Sequence, residues 1–122
     1  MARLSAKLRS LSGGSIGYWC QGCDSLHAVR VNVPDRPCWT WDGNVEAPTF
    51  SPSVLTTYRH PKGFDNDHPA PAGYDGEYVN DICHTFIRGG MVEFLSDCTH
   101  ALAGKTEPLP DWPYAEGEYG GV

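Results

Sequence analysis

Apolar and polar positions along this chain alternate with a period near two. The runs are short and are separated by Gly, Pro, Asn and Asp, which is the pattern of β-strands joined by turns. "HAVRVNV", residues 27–33, carries Ala28, Val29, Val31 and Val33 and predicts a strand, with "GYWC", residues 17–20, leading into it through "QGC". "CWTWDGNVEAPTF", residues 38–50, reads as a strand, an Asp42-Gly43 turn and an extended return. Pro48 and Pro52 lack ladder donors, so that return is an edge or a loop bearing functional side chains. "VLTTY", residues 54–58, is a plain strand, and "DICHTFIRGGMVEFL", residues 81–95, is the clearest hairpin, two apolar runs around Gly89-Gly90. Only "SDCTHALAGK", residues 96–105, reads as helix: Ser96 or Asp97 caps it, Ala101-Leu102-Ala103 propagate it and Gly104 stops it. The pattern predicts a mainly β fold, α+β at most, built as a small antiparallel sheet with one short helix near 97–104.

Length and composition limit the organisation to one domain, since the chain has 122 residues. Residues 1–16 are polar and Ser/Gly-rich, an N-terminal arm or a weak first strand, and the domain proper is expected over 17–113. Inside it, the Pro, Gly, Asp and His of residues 59–80 predict a long loop, of the kind used as a flap or binding loop. Residues 114–122 form an extended tail, anchored just before it by Leu109 and Trp112. A net charge of −6 argues against a nucleic-acid surface, and Arg3, Lys7 and Arg9 make no patch. No apolar run approaches the ~18–20 residues of a membrane span, and no signal-peptide pattern is present. The expectation is a cytoplasmic protein whose five cysteines are thiols or metal ligands.

"CQGCDSLH", residues 20–27, carries the strongest chemical signal. Cys20 and Cys23, two residues apart on a Gly turn, can converge on one ion, and His27 follows after three more residues. Zinc takes four sulfur or nitrogen ligands in a tetrahedron. A small β domain gains folding free energy from such a staple. No βαβ pattern surrounds the pair, which argues against a redox motif; the remaining alternative is two unbonded buried thiols. Cys83, at the start of a strand that must pair near the knuckle, is the third ligand. His27, Cys98 and His100 compete for the fourth place. Period two along the strand sets Cys83 and His84 on opposite faces, leaving His84 free for other work or as a half-buried strand histidine. Cys38, between Pro37 and Trp39, has no partner at metal spacing and reads as a packed thiol.

The segments "YWCQGCDSLH", "WTWDGNVEAPTFSPSVL" and "CHTFIRGGMVEFLSDCTHALAGKTEPLPDWP" together resemble a family of small phage and prophage proteins. That family is designated a domain of unknown function, and its members are sometimes labelled ammonia monooxygenase. The resemblance covers residues 17–113 without the 59–80 loop. Relatives stand beside bacterial ubiquitin-like conjugation genes, where a peptidase role has been proposed. The resemblance therefore implies a hydrolase acting on a ubiquitin-like tail, in a bacterial host or encoded by a phage. The family pattern resembles C-x2-C-x3-H, then P-T-F-S-P-S, then C-H-x-F, then D-[CS]-T-H-x-L-A-G-Q. It falls here on Cys20, Cys23, His27, Ser51, Ser53, Cys83, His84, Asp97, Cys98, Thr99 and His100, with Lys105 in place of the final Gln. Serine, which the pattern allows at 98, is a poor zinc ligand. The resemblance thus favours Cys20, Cys23, His27 and Cys83 as the ligands of one structural zinc.

With those four assigned, Ser51, Ser53, His84, Asp97, Cys98 and His100 remain, and they include a nucleophile, a base and an orienting carboxylate. The assignment is Ser53 as nucleophile, His84 as base and Asp97 holding the imidazole. His100 would assist proton transfer or oxyanion binding, and the helix start at Asp97 would aim N–H groups at an anionic intermediate. Three alternatives stay open. Ser51 could replace Ser53; Cys98 could act as a thiolate activated at the helix N-terminus; or His84, Asp97 and His100 could hold a second metal with an open water position. Opposed to all of these is a non-enzymatic zinc-binding module, phage or defence-related, whose long loop and aromatic tail bind another protein. In that reading Asp97 is only a helix cap, "FSPS" a rigid turn, and His60 and His68 are solvated. Either way the substrate or partner is a protein or peptide, with a ubiquitin-like protein implied by the resemblance. Oligomeric state leaves no trace in the sequence.

Overall fold

A computed structural model describes residues 1–31 and 38–121; Val33, expected on the 27–33 strand, lies outside them. The first sheet is an antiparallel meander of β1 (Ala2–Arg3), β2 (Arg9–Leu11), β3 (Ser15–Cys20) and β4 (Ser25–Arg30). The second is a meander of β5 (Thr40–Trp41), β6 (Phe50–Pro61), β7 (Tyr78–Arg88), β8 (Met91–Phe94) and β9 (Thr106–Pro108). Among the described residues the only helical piece is a 3-10 turn at Ser12–Gly14, and no helix is long and apolar enough to cross a membrane. The mainly β expectation holds.

Alternation explains which faces meet. Along β7 the buried Cys83, Thr85 and Ile87 alternate with the half-buried Ile82, His84 and Phe86, and on β8 Val92 and Phe94 are buried between exposed neighbours. These pack with Phe50 and Val54 of their own sheet, with Leu109 just after it, with Leu8 of the β1–β2 turn and with Ile16, Tyr18 and Val29 of the first sheet. β3 does not alternate because it is covered twice. Ile16, Tyr18 and Cys20 join this core, while Trp19 packs edge-on against Trp112 and against Tyr114 at the start of the tail. The 81–95 hairpin turns as read: Gly89 and Gly90 have φ of 56° and 77°, which suits the left-handed pair of a type I′ turn.

Three expectations change. Residues 1–16 carry two strands where an arm was one of the readings. Ser5 Oγ accepts from the N–H groups of Lys7 and Leu8, and the turn so made buries Leu8 completely. The long loop shortens to 62–77, because β6 and β7 stay paired out to Pro61 and Tyr78. The short helix near 97–104 does not form. Residues 95–105 make successive turns instead, and their donors go elsewhere: Thr99 N–H to Ile82 O at 2.9 Å and Gly104 N–H to Phe94 O at 2.9 Å. A two-turn helix is marginal on its own. Bonds to the neighbouring strands outcompete it, so Asp97 has no helix to cap.

Candidate active site and thiol cluster

β6 is irregular where it carries its chemistry. Phe50 pairs with Ile87 and Val54 with Thr85, so two extra residues bulge out between them. The bulge takes in Pro52, whose missing N–H therefore costs no ladder bond, and Ser53. It is held at Ser53, whose carbonyl accepts from the Trp39 indole N–H at 3.2 Å. On the adjacent strand, His84 stands opposite Leu55, which puts Ser53 in the diagonal position that a long side chain can reach.

Ser53 Oγ lies 3.0 Å from His84 Nε2, and His84 Nδ1 lies 3.0 Å from Asp97 Oδ2. An ionised carboxylate only accepts, so Nδ1–H donates to Asp97. Nε2 is then unprotonated and accepts from the Ser53 hydroxyl. Asp97 reaches this place from the turn after β8, which is moored to β7 by Thr99: its N–H donates to Ile82 O, and its Oγ1 accepts from Ile82 N–H at 2.9 Å. His84 is clamped from behind. Its N–H donates to Cys98 Sγ at 3.2 Å, and the Cys98 thiol donates to His84 O at 3.3 Å. Such a chain of hydroxyl, imidazole and carboxylate can activate an oxygen nucleophile and shuttle its proton.

On the opposite face of β7, Cys83 meets the turn between β3 and β4. The ligand atoms of Cys20, Cys23, His27 and Cys83 all lie within 4.8 Å of one another, a group that could hold a metal ion. The thiols share protons unequally. Hydrogen bonds from Cys23 and Cys83 hold Cys20 down to about 2, as the thiolate. The reciprocal bonds to Cys20 push Cys23 up to about 12 and raise Cys83 as well. Burial lowers His27, keeping its imidazole neutral and able to ligate.

A family model described as bacterial ubiquitination-like system serine protease (BubE) matches residues 4–95. The chain belongs to the BubE family. The matched stretch holds Ser53, His84 and all four members of the thiol–imidazole group, with Asp97 and His100 just beyond it. Nothing matches among the curated proteins or among the solved structures.

The other candidates of this BubE family member fall elsewhere. His100 is not on the Ser53–His84–Asp97 chain. Its Nδ1 accepts from Leu102 N–H at 3.2 Å, so Nε2 carries the proton and donates to Cys83 Sγ, 3.4 Å away. In that tautomer His100 donates to the cluster from outside it, while the ligand atoms of Cys83, Cys98 and His100 also lie within 4.8 Å of one another, a second group that could hold a metal ion. No metal-sized group joins His84, Asp97 and His100 among the described residues. Cys98 is buried and committed to the His84 backbone. The helix whose start was to serve Cys98 and an anionic intermediate does not form, and the N–H groups of Cys98 and Thr99 are spent on Leu95 O and Ile82 O. Ser51 is exposed and pairs with Thr40, and Cys38 is half-buried with its thiol on Trp39 O. Trp39 and the Thr99 mooring were not found from sequence. Both depend on which strands lie side by side, and no spacing encodes that.

Proposed function

We propose that this chain is a serine peptidase of a bacterial ubiquitination-like system, acting on a protein that carries a ubiquitin-like tail in the bacterial cytoplasm, whether host- or phage-encoded. The observation that carries the reading is the unbroken relay from Asp97 through His84 to Ser53, with 3.0 Å at each step. The family's description as a serine protease agrees with a hydroxyl nucleophile. Ser53 Oγ attacks the scissile carbonyl while His84 Nε2 takes its proton; the imidazolium, paired with Asp97, then delivers that proton to the leaving amine. Water repeats the sequence to release the acyl-enzyme.

Cys20, Cys23, His27 and Cys83 would hold one structural zinc. A tetrahedron with Zn–S bonds of about 2.3 Å has S···S edges of about 3.8 Å, and Cys20 and Cys83 are 3.8 Å apart. The donor set of three thiols and a neutral imidazole fits the same ion. When bound, the zinc supplies folding free energy and leaves the acyl chemistry to Ser53.

A fluorophosphonate, which reacts preferentially with activated serine hydroxyls, tests the reading. Stoichiometric labelling on Ser53, located by peptide mass spectrometry and lost in Ser53→Ala and His84→Ala, is the expected outcome. Labelling that survives Ser53→Ala would sink it.

A further inference from the structure

Among the described residues, one side of β6 past β5 has no partner strand, and that side leads straight to Ser53. The direction of its backbone groups follows from its neighbours. His84 O accepts from Leu95 N–H, and Ile82 exchanges hydrogen bonds with Thr99, so the even residues of β7 turn toward β8 and the odd ones toward β6. In the observed register the β6 partners of those odd residues are Val54, Thr56, Tyr58 and His60. The N–H and C=O groups of Leu55, Thr57 and Arg59 therefore face the other way. On that side β5 covers only Phe50 and Ser51, and the Trp39 indole caps Ser53 O. Past that point no strand of the described residues pairs with the edge.

The edge is also apolar where it matters. Leu55, opposite His84 and two residues from Ser53, is 57 % exposed. Ile82 and Phe86 flank His84 on the same face of β7 and are only half-buried. A row of unpaired backbone groups with an exposed leucine is a template for another strand.

Resting on the peptidase reading, we propose that the substrate peptide docks by adding a strand to the Leu55–Arg59 edge of β6. An apolar substrate side chain lies on Leu55, and the scissile carbonyl is delivered to Ser53 Oγ. Main-chain bonds supply the affinity and the Leu55 contact the selectivity, as in other strand additions. Because β5 and Trp39 close the edge beyond Ser53, strand pairing is confined to one side of the cleaved bond. The occupant is an extended peptide segment, since only a chain in strand conformation can pair with this edge and run on to Ser53.

The test is amide hydrogen exchange by NMR on the full chain, with and without the acetylated, amidated pentapeptide Ser-Leu-Thr-Leu-Ser. Binding should newly protect Leu55, Thr57 and Arg59 and leave Val54, Thr56 and Tyr58, already bonded to β7, unchanged. Leu55→Asp, an exposed substitution that leaves the core intact, should weaken binding about tenfold. Replacing both leucines of the peptide by Asp should do the same. Protection that does not alternate, or no saturable binding, overturns the docking proposal. Fluorophosphonate labelling of Ser53, read on the same sample without peptide, reports on the peptidase reading separately, so either can fail alone.

Discussion

At the scale of single residues, the relay depends on a tautomer. Asn at position 97 would keep the shape of Asp97 but could donate to His84 Nδ1, moving the ring proton to Nε2, where it can no longer accept from Ser53. Asp97→Asn should therefore cost about 10³- to 10⁴-fold in kcat. Asp97 is half exposed, so the pair adds little to stability and Tm should stay nearly unchanged; a large fall in Tm would assign Asp97 a structural role instead. Cys98 gives the converse test. Cys98→Ser can make both hydrogen bonds to the His84 backbone and should keep peptide cleavage, which a reaction through a Cys98 thiolate would lose. Cys98→Val strands the His84 N–H and should cost about 1–3 kcal/mol in denaturant unfolding. Gly22 is constrained by its neighbour, because a Cβ there would lie 2.5 Å from His100 Nε2. Gly22→Ala should push the imidazole off Cys83 and loosen metal binding, measurable as faster zinc loss to a chelator.

At the scale of elements, the hairpin of β7 and β8 is the part that sequence and structure share most closely. Its two glycines occupy left-handed backbone, and Gly90 also lies against Ala47, where an added Cβ would meet Cα at 3.0 Å. Gly90→Val should destabilise the protein by about 1–2 kcal/mol, read as a lower urea midpoint with an unchanged m-value. Period two made that hairpin legible, and it also set Cys83 and His84 on opposite faces. The thiol knuckle was legible because two thiols and a histidine in eight residues need no tertiary knowledge. The segment after β8 was misread because its helix signals are local, whereas its hydrogen bonds to Ile82 and Phe94 are not. The bulge at Ser53 could be suspected from Pro52, but its anchoring by Trp39 could not.

At the scale of the whole molecule, the proposed zinc site joins the two sheets: Cys20, Cys23 and His27 come from the β3–β4 hairpin of the first and Cys83 from β7 of the second. Cys83 precedes His84 directly, and His100 follows Asp97 by three residues in the 95–105 segment, so the staple and the relay rest on the same two segments. Metal removal should lower Tm by about 10 °C or more and abolish fluorophosphonate labelling over the same chelator range; labelling that outlasts the metal would separate the two centres. The distances along the chain carry a kinetic consequence. Ser53 and His84 are 31 residues apart and His84 and Asp97 only 13, whereas Cys20 and Cys83 are separated by 63. Closure of long loops is entropically slower. The β6–β7–β8 meander should therefore assemble first, with the two sheets clasping around the metal afterwards. Pulse-labelling during refolding should then find the Thr85 and Ile87 amides shielded while the Cys20 and Cys83 thiols still react with an alkylating agent. A newly made chain would own its nucleophile before it owned its clasp.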